Sequence, residues 1–297
     1  MPRSLFRNRL DPDIPPGLTF STGNRPTQGQ FVQLNTQSIQ YDGLVAYWPA
    51  WEGASASLVD LKAGLTMPVY NSAPPIQTDS AMFGTYPLGG GDGAGGGTNR
   101  GYRLPFADVG PINFGVDIPG SVSNWGASFW FRTTVTAAGG NDTYLMSFST
   151  AGSSPWPGMA LSLDTGDDLA FNTNDNALVD AGFKATRAGM YDLGWHHCLF
   201  IQIPSATPNS YSATNIYYID GTLDASNSGC ANLGDVSSPN GFFLLANDQG
   251  DPPADGAISE WRFYKNSGNF ANGTTRLALA QSLFNTGTRW EMLLIAA

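Results

Sequence analysis

Short apolar runs separated by polar turns extend over most of the 297-residue chain. Their length and their β-branched or aromatic content are typical of strands, which we predict at residues 43–50, 127–134, 143–150, 158–164, 168–174, 241–248 and 258–265. Two further runs, 195–203 and 215–225, complete the set. The second contains Asp220-Gly221 between apolar residues, which is a strong signal for a two-residue β-hairpin.

The end of the chain has a helical period instead. Within residues 274–285, Leu277, Ala280, Leu283 and Phe284 share one helical face behind a threonine-rich start, which predicts one short helix. Many short strands with one late helix, and no alternation of the two, predict an all-β fold, an antiparallel β-sandwich. Residues 1–40 have no sustained period, and we interpret them as an extended N-terminal arm rather than a disordered leader.

Composition sharpens this picture, because 36 glycines, 20 prolines and only 13% charged residues fit a turn-rich β protein. The net charge of −10 argues against a general nucleic-acid binder. Residues 1–30 nevertheless carry four arginines against two aspartates, a net +2, which leaves −12 on the remainder. A basic arm on an acidic body suggests docking on an acidic surface.

Several stretches resemble a known family in the order in which they occur. "GLVAYWPAWEGASASLVDL" with Asp60, "ASFWFRTT", "WHHCLFIQIP" with "IYYIDGTLDAS", and "AISEWRFYKNSGNFANGTTRLALAQSLFN" resemble laminin-G-like, concanavalin A-like lectin and glucanase jelly-roll domains. The resemblance implies a sandwich over residues 41–287, flanked by the arm at 1–40 and a C-terminal tail at 288–297. Residues 82–97 carry only Asp92 where many members have an Asp pair near a ligand or calcium site.

Both histidines, His196 and His197, lie beside Cys198 in one predicted strand. Because side chains alternate across a strand, adjacent histidines point to opposite sides of the sheet and cannot jointly hold a metal. We therefore interpret the Trp195-His196-His197 segment as structural, with no cofactor predicted. Cys198 and Cys230 are interpreted as free thiols, although a bond between them stays open.

A catalytic role is not favoured. Related glucanases use Glu-x-Asp-x-x-Glu to place two carboxylates on one face of a strand, and the chain lacks that motif. Its three glutamates, Glu52, Glu260 and Glu291, are far apart. Aspartates in "LDTGDDLAF" read as turn residues. Residues 91–96 fit G-x-G-x-x-G, but no strong β-run ends just before them and no helix follows, and a dinucleotide site requires both.

Two candidate binding sites remain. Trp156 lies between prolines and is a candidate for stacking on a sugar, the alternative being a cap on the core. Asp248, Asp251 and Asp255 are candidates for a Ca²⁺ site, the alternative being a solvated acidic turn.

We expect a non-catalytic structural protein of a bacteriophage virion, either capsid-decorating or tail-associated. The start of the chain has no apolar signal-peptide core and no run is long enough to span a membrane, so we expect synthesis in the host cytoplasm and retention in the particle. Its partners would be other virion subunits, a cell-surface glycan and other copies of the chain, as a trimer by resemblance to such assemblies. The candidate assembly contacts are Arg3, Phe6, Arg7, Arg9, Phe20, Arg25 and Phe31.

The main alternative is a secreted or surface carbohydrate-binding module, which would need an export route. A glycan-cleaving enzyme is the third hypothesis. It is disfavoured because no convergent acid/base pair is evident in the sequence.

Overall fold

Antiparallel strands make up most of the described chain, in a computed structural model that describes residues 32–50, 57–71, 73–79, 84–87, 100–105, 124–133, 143–150, 159–163, 169–173, 183–184, 189–204, 212–231, 239–246, 256–285 and 293–295. In chain order the strands are β1 (Val32–Leu34), β2 (Leu44–Trp48), β3 (Leu58–Val59), β4 (Thr66–Met67), β5 (Val69–Tyr70), β6 (Ile76–Asp79), β7 (Gly84–Pro87), β8 (Gly101–Pro105), β9 (Trp125–Thr133), β10 (Thr143–Thr150), β11 (Met159–Leu163), β12 (Leu169–Thr173), β13 (Phe183–Lys184), β14 (His196–Pro204), β15 (Ser212–Ile219), β16 (Thr222–Ala231), β17 (Pro239–Leu244), β18 (Gly256–Lys265) and β19 (Leu293–Ile295). The helix α1 spans Gly273–Phe284, and short 3₁₀ turns lie at Ile39–Tyr41 and Gly268–Phe270.

Two large sheets form the predicted sandwich. One has six strands in the order β16-β15-β14-β9-β18-β2, and the other has seven in the order β13-β12-β11-β10-β17-β8-β5. Every pairing between described strands is antiparallel. The all-β antiparallel class expected from the apolar pattern is therefore confirmed.

Aromatic side chains fill the space between the two sheets. Trp261 of the six-stranded sheet stacks on Phe129, with ring centroids 4.4 Å apart, and also meets Phe242 of the seven-stranded sheet at 6.1 Å. Trp48 stacks on the same Phe242 at 6.0 Å. Rings of this size bury a large apolar area and pack in preferred geometries, so they supply much of the energy that holds the sheets together.

The opposite face of the six-stranded sheet, called the outer face below, is covered by α1. Leu279, Ala280 and Leu283 of the helix are buried and join a cluster that includes Leu199 and Tyr218 of the sheet. The helix begins after Asn272, whose side-chain oxygen accepts hydrogen bonds from the N–H groups of residues 274 and 275. This N-cap satisfies backbone N–H donors that have no partner within the first turn of a helix. The observed helix, Gly273–Phe284, lies within one residue of the predicted bounds at both ends.

The predicted hairpin joins β15 to β16 through Asp220 and Gly221. Both residues have positive φ, +50° and +73° respectively, as a two-residue turn that matches the twist of its strands requires. A Cβ atom added to Gly221 would lie 3.0 Å from Cδ1 of Phe284. The turn is therefore held close against the last residue of α1.

Three small two-stranded sheets complete the described fold: β1 with β19, β3 with β4, and β6 with β7. Asp60, the aspartate that carried part of the resemblance, follows β3 and is buried. Its carboxylate accepts backbone hydrogen bonds from Tyr47, Lys62 and Ala63. Burial raises the pKa of Asp60 above its usual value, and these N–H donors only partly offset that rise. Asp60 thus ties its loop to β2.

Candidate functional site

The binding residues predicted from the sequence lie outside the described residues. This applies to Trp156, to the aspartates Asp248, Asp251 and Asp255, and to the arm residues Arg3, Phe6, Arg7, Arg9, Phe20, Arg25 and Phe31. Within the described part of the chain, no three His, Cys, Asp or Glu side chains form a group that could hold a metal ion. In the same residues, no helix is long and apolar enough to cross a membrane.

The two histidines stand on opposite faces of β14, as period-two geometry predicts. Cys198 and Phe200 join the core between the sheets, whereas Leu199 and Ile201 join the cluster beneath α1. His197 lies on the outer face with Leu199 and hydrogen-bonds through Nε2 to Oγ of Ser128 at 2.9 Å. Neither His197 nor Ser128 has exposed surface, so this Ser–His pair links two strands and does not face solvent.

Glu260 is also enclosed. Its carboxylate lies 3.2 Å from a guanidinium nitrogen of Arg262, and neither side chain is exposed. The guanidinium lies 4.5 Å from the centre of the Tyr47 ring, an additional cation–π contact. This glutamate therefore serves an internal ion pair. Cys198 is fully buried as well, and burial raises the pKa of its thiol well above the usual value.

His196 bridges two carboxylates at the surface end of β14. Its Nδ1 lies 3.0 Å from Oδ2 of Asp220, and its Nε2 lies 3.1 Å from Oδ1 of Asp192. The hydrogen bond to Asp220 is the main cause of a raised His196 pKa, which burial opposes and the negative charges of both aspartates reinforce. Burial tends to raise the pKa of Asp192, but hydrogen bonds from Gly194 and His196 leave it lowered.

Asp220 is fixed by further bonds. Its Oδ1 accepts the backbone N–H of His197 at 2.9 Å, and its own N–H donates to the His197 carbonyl at 2.9 Å. The hairpin turn and the start of β14 are thereby locked together. Since Asp192 precedes Trp195 in the loop before β14, the His196 bridge also links that loop to the turn.

An open groove of about 630 Å³ lies where this turn meets α1. We call it the aromatic groove, and it is lined by Trp130, Trp195, Asp220, Gly221, Thr222, Gln281, Phe284 and Asn285. Trp130 is buried and stacks on Phe284, with ring centroids 5.6 Å apart and 22° between the ring planes. Trp195 and Phe284 are half-buried, whereas Gln281 and Asn285 are exposed. Among the described residues, the lining thus combines aromatic side chains with one aspartate, one threonine, one glutamine and one asparagine.

Trp195 is held in place from one side. The guanidinium carbon of Arg132 lies 5.4 Å from the centre of its ring, within the range of a cation–π contact. The ring also packs against the small buried cluster of Trp130 and Ala257. A partly exposed tryptophan with this support presents a fixed apolar surface at the edge of the groove.

The sequence did not identify the groove as a site, although it did predict two of the structural elements that form the groove. The Asp220-Gly221 turn and the helical face ending at Phe284 were both predicted as elements. What the pattern did not reveal is that Trp130, Trp195, Asp220 and Phe284 meet. The first and last of these are separated by more than half of the chain, and only the strand order and the crossing of α1 bring them together.

Comparison with solved structures shows the same fold in larger proteins. Trypanosoma rangeli sialidase is 14% identical, with a TM-score of 0.55 over 91% of this chain and 37% of its own. The binding domain of botulinum neurotoxin serotype D/C is 13% identical, with a TM-score of 0.54 over 83% of this chain and 53% of its own. The binding domain of Paraclostridial Mosquitocidal Protein 1 is 14% identical, with a TM-score of 0.53 over 84% and 54% respectively.

These identities are low, so the likeness shows the fold alone. The chain also spans only 37% to 54% of the length of these three structures. A search of curated proteins found no match. A family model, Laminin_G_3, described as the concanavalin A-like lectin/glucanases superfamily, matches residues 110–269, more than half of the chain. Together with the sandwich and its strand order, this match shows that the chain belongs to the Laminin_G_3 family of concanavalin A-like lectin/glucanase domains.

Proposed function

We propose that this chain is a non-catalytic, lectin-like protein that binds carbohydrate in the aromatic groove. The observation that carries the proposal is the composition of the groove: the face of a supported tryptophan next to a carboxylate, a hydroxyl and two amides. Sugars present C–H faces that pack on aromatic rings and hydroxyls that both donate and accept hydrogen bonds. Apolar walls with a few polar groups that converge are typical of small-ligand sites.

The number of carboxylates favours binding over hydrolysis. Most glycoside hydrolases use two carboxyl groups, one on either side of the scissile bond. Asp220 is the one carboxylate that lines the groove within the described residues, and His196 and the His197 N–H already engage its oxygens. The solved neurotoxin and mosquitocidal domains of similar fold are themselves named binding domains, which agrees with this role.

The proposal is tested by replacing Trp195 with alanine in the full chain and measuring binding to a glycan array, followed by calorimetry on the glycans retained. We expect the affinity for every glycan bound by the unchanged protein to fall about ten-fold or more, as is typical when an aromatic anchor residue is removed. Leu223→Ala is the matched control, because it removes a 55% exposed apolar side chain that does not line the groove. Absence of any glycan binding by the unchanged protein would contradict the proposal.

We also propose, as a second candidate, that the chain is a structural subunit of a bacteriophage virion, made in the host cytoplasm and retained in the particle. One structural observation favours an assembly role: β1 pairs with β19 through Val32↔Ile295, Gln33↔Leu294 and Leu34↔Leu293. This pairing anchors the chain directly after residues 1–31, whose arginines are suited to acidic partners. The two candidates are compatible, since a virion subunit can also carry a glycan-binding sandwich.

A further inference from the structure

We infer that His196 is a positioning residue that makes carbohydrate binding in the aromatic groove depend on pH. In its protonated form it fastens the loop that carries Trp195 to the turn that carries Asp220, and the groove binds carbohydrate more tightly when the two are fastened. The inference rests on the proposed function, because it concerns the regulation of the same groove. It is carried by the position of one imidazole between two segments that each supply a lining residue.

The two segments joined by His196 come from different parts of the fold. Residues 192–195, called the Trp195 loop below, lie directly before β14, whereas the turn with Asp220 lies between β15 and β16. Trp195 and Asp220 both line the groove. Nε2 of His196 lies 3.1 Å from Oδ1 of Asp192 in the loop, and Nδ1 lies 3.0 Å from Oδ2 of Asp220 in the turn. The imidazole therefore connects one wall of the groove to another.

The imidazole can hold both carboxylates only as a cation. A neutral imidazole has one N–H donor and one lone pair, and a carboxylate only accepts, so loss of the proton opens one of the two contacts. Asp220 also exchanges two backbone hydrogen bonds with His197, each of 2.9 Å. The side chain of Asp192 is 52% exposed, against 17% for Asp220. The contact with Asp192 is therefore the one that opens when His196 becomes neutral.

The Trp195 loop has an unfavourable backbone that this contact helps to hold. Leu193 is exposed and has a φ of +64°, a left-handed conformation that bulky side chains rarely adopt. Oδ1 of Asp192, the oxygen that meets His196, also accepts the N–H of Gly194 at 2.7 Å. Release of Asp192 from the imidazole thus loosens the turn directly before Trp195, and with it that wall of the groove.

The charged groups around the imidazole set the direction of the effect. In the described part of the chain, the hydrogen bond to Asp220 is the main cause of the raised pKa of His196, and the charges of Asp220 and Asp192 add to it against the effect of burial. Phe131 of β9 packs at 5.8 Å and carries no charge, and the guanidinium of the neighbouring Arg132 lies against an indole ring. The fastened loop therefore persists above the ordinary histidine pKa of about 6.5.

The experiment measures, on the full chain, the affinity for each glycan retained from the array between about pH 5.5 and about pH 8.5, the range in which histidine titrates. We expect the dissociation constant to rise about five-fold or more across this range, a typical size for coupling between two sites. Because such coupling is reciprocal, the same glycan should raise the pKa of His196 by the logarithm of that factor. The chain has two histidines, so their imidazole NMR signals report this pKa.

His196→Gln tests the residue itself. Glutamine does not titrate, so we expect a flat pH profile with an affinity close to the value of the unchanged protein at high pH. Asp192→Asn should reduce the pH dependence, because an amide can accept from the protonated imidazole or donate to the neutral one. Asp224→Asn is the matched control, since it removes a carboxylate of the same hairpin that is not part of the His196 bridge, and the full profile should remain.

The outcomes separate this inference from the proposed function. Equal affinity across the pH range, with no change in the pKa of His196 on addition of the glycan, overturns the inference and leaves carbohydrate binding in place. A pH dependence that His196→Gln retains in full overturns the role assigned to His196. If His196→Gln does not fold, the effect of the glycan on the pKa of His196 in the unchanged protein still decides the question.

A measurement without glycan covers the remaining case. If no glycan binds at either end of the pH range, the proposed function fails, and the amide NMR signal of Gly194 then decides whether His196 positions the loop. We expect this signal to shift with the same midpoint as the imidazole of His196, because Gly194 and His196 share one oxygen of Asp192. A Gly194 signal that does not follow this titration overturns the positioning role as well.

Discussion

At the scale of single residues, the most informative side chain is His196. Its two ring nitrogens face two carboxylate oxygens, and a carboxylate can only accept hydrogen bonds. Both bonds can therefore form together only when the imidazole is protonated on both nitrogens. The sequence predicted that this histidine has a structural role, but its partners were not identifiable there. Asp220 is 24 residues away in sequence and is brought into contact by the hairpin.

This geometry predicts how stability depends on pH. The folded-state pKa of His196 is raised above its usual value of about 6.5, so the protonated form is bound more strongly in the folded protein. Its contribution to stability is fully present below the unfolded pKa and is lost as the pH rises through the folded pKa. We expect the free energy of unfolding, measured by urea titration, to decrease from pH 6 upward through this window.

His196→Gln isolates this contribution. Glutamine retains a hydrogen-bonding side chain but does not titrate, so the decrease above pH 6 should become smaller than in the unchanged protein. Asp192→Asn should give an intermediate slope, because it removes the more exposed of the two carboxylates and leaves the bond to Asp220. An identical pH dependence in the unchanged protein and in His196→Gln would show that the bridge contributes no linkage.

At the scale of elements, short apolar runs, one turn dipeptide and one helical face predicted β2, β9 to β12, β14 to β18 and α1, but not β1, β3 to β8, β13 or β19. The predicted run at 143–150 coincides with β10, and that at 258–265 lies within β18. The sequence pattern did not predict which strands pair with each other. β10 pairs with β17 through Met146↔Leu244, nearly 100 residues apart, and local pattern carries no information on such a contact. The groove depends on contacts of this long-range kind, which is why the elements were predictable and the site was not.

The turn at Gly221 provides a test of how closely the hairpin and α1 are packed. Gly221 and Gly64 both have a φ of +73°, but a Cβ at Gly221 would lie 3.0 Å from Phe284, whereas one at Gly64 meets nothing within 4 Å. Gly64→Ala should therefore cost only the left-handed backbone penalty of about 1 kcal/mol. Gly221→Ala should cost about 1 kcal/mol more, because the added methyl group overpacks the contact with the helix.

The two glycine variants are compared by the free energy of unfolding in urea under identical conditions. Since they share the same backbone angle, the difference between them reports the contact with Phe284. If both variants lost the same free energy of unfolding, α1 would have moved away from the turn without any loss of stability. In that case the wall of the aromatic groove formed by Phe284 would be adaptable rather than fixed.

At the scale of the whole molecule, the sandwich differs from the two ends of the chain in strand pairing and in net charge. The sandwich is a family domain whose two sheets enclose an aromatic core, with α1 over its outer face. Beyond it, β1 and β19 pair only with each other among the described strands. Charge follows a similar division, with +2 on residues 1–30 and −12 on the remainder. Under the proposals made above, the family domain is the part that binds carbohydrate and the basic extension is the part that attaches to an acidic partner.

The proposed attachment is tested by replacing Arg3, Arg7, Arg9 and Arg25 together with serine in the full chain. The sandwich should unfold at the same urea concentration, while co-sedimentation of the chain with virus particles in a sucrose gradient should fall sharply and depend on salt. Replacing the same four residues with lysine is the matched control. Lysine keeps the charge but lacks the planar fork that binds carboxylates in two places, so it should restore binding only in part. Full co-sedimentation of the serine variant would contradict docking through the arm and would leave carbohydrate binding as the function to pursue.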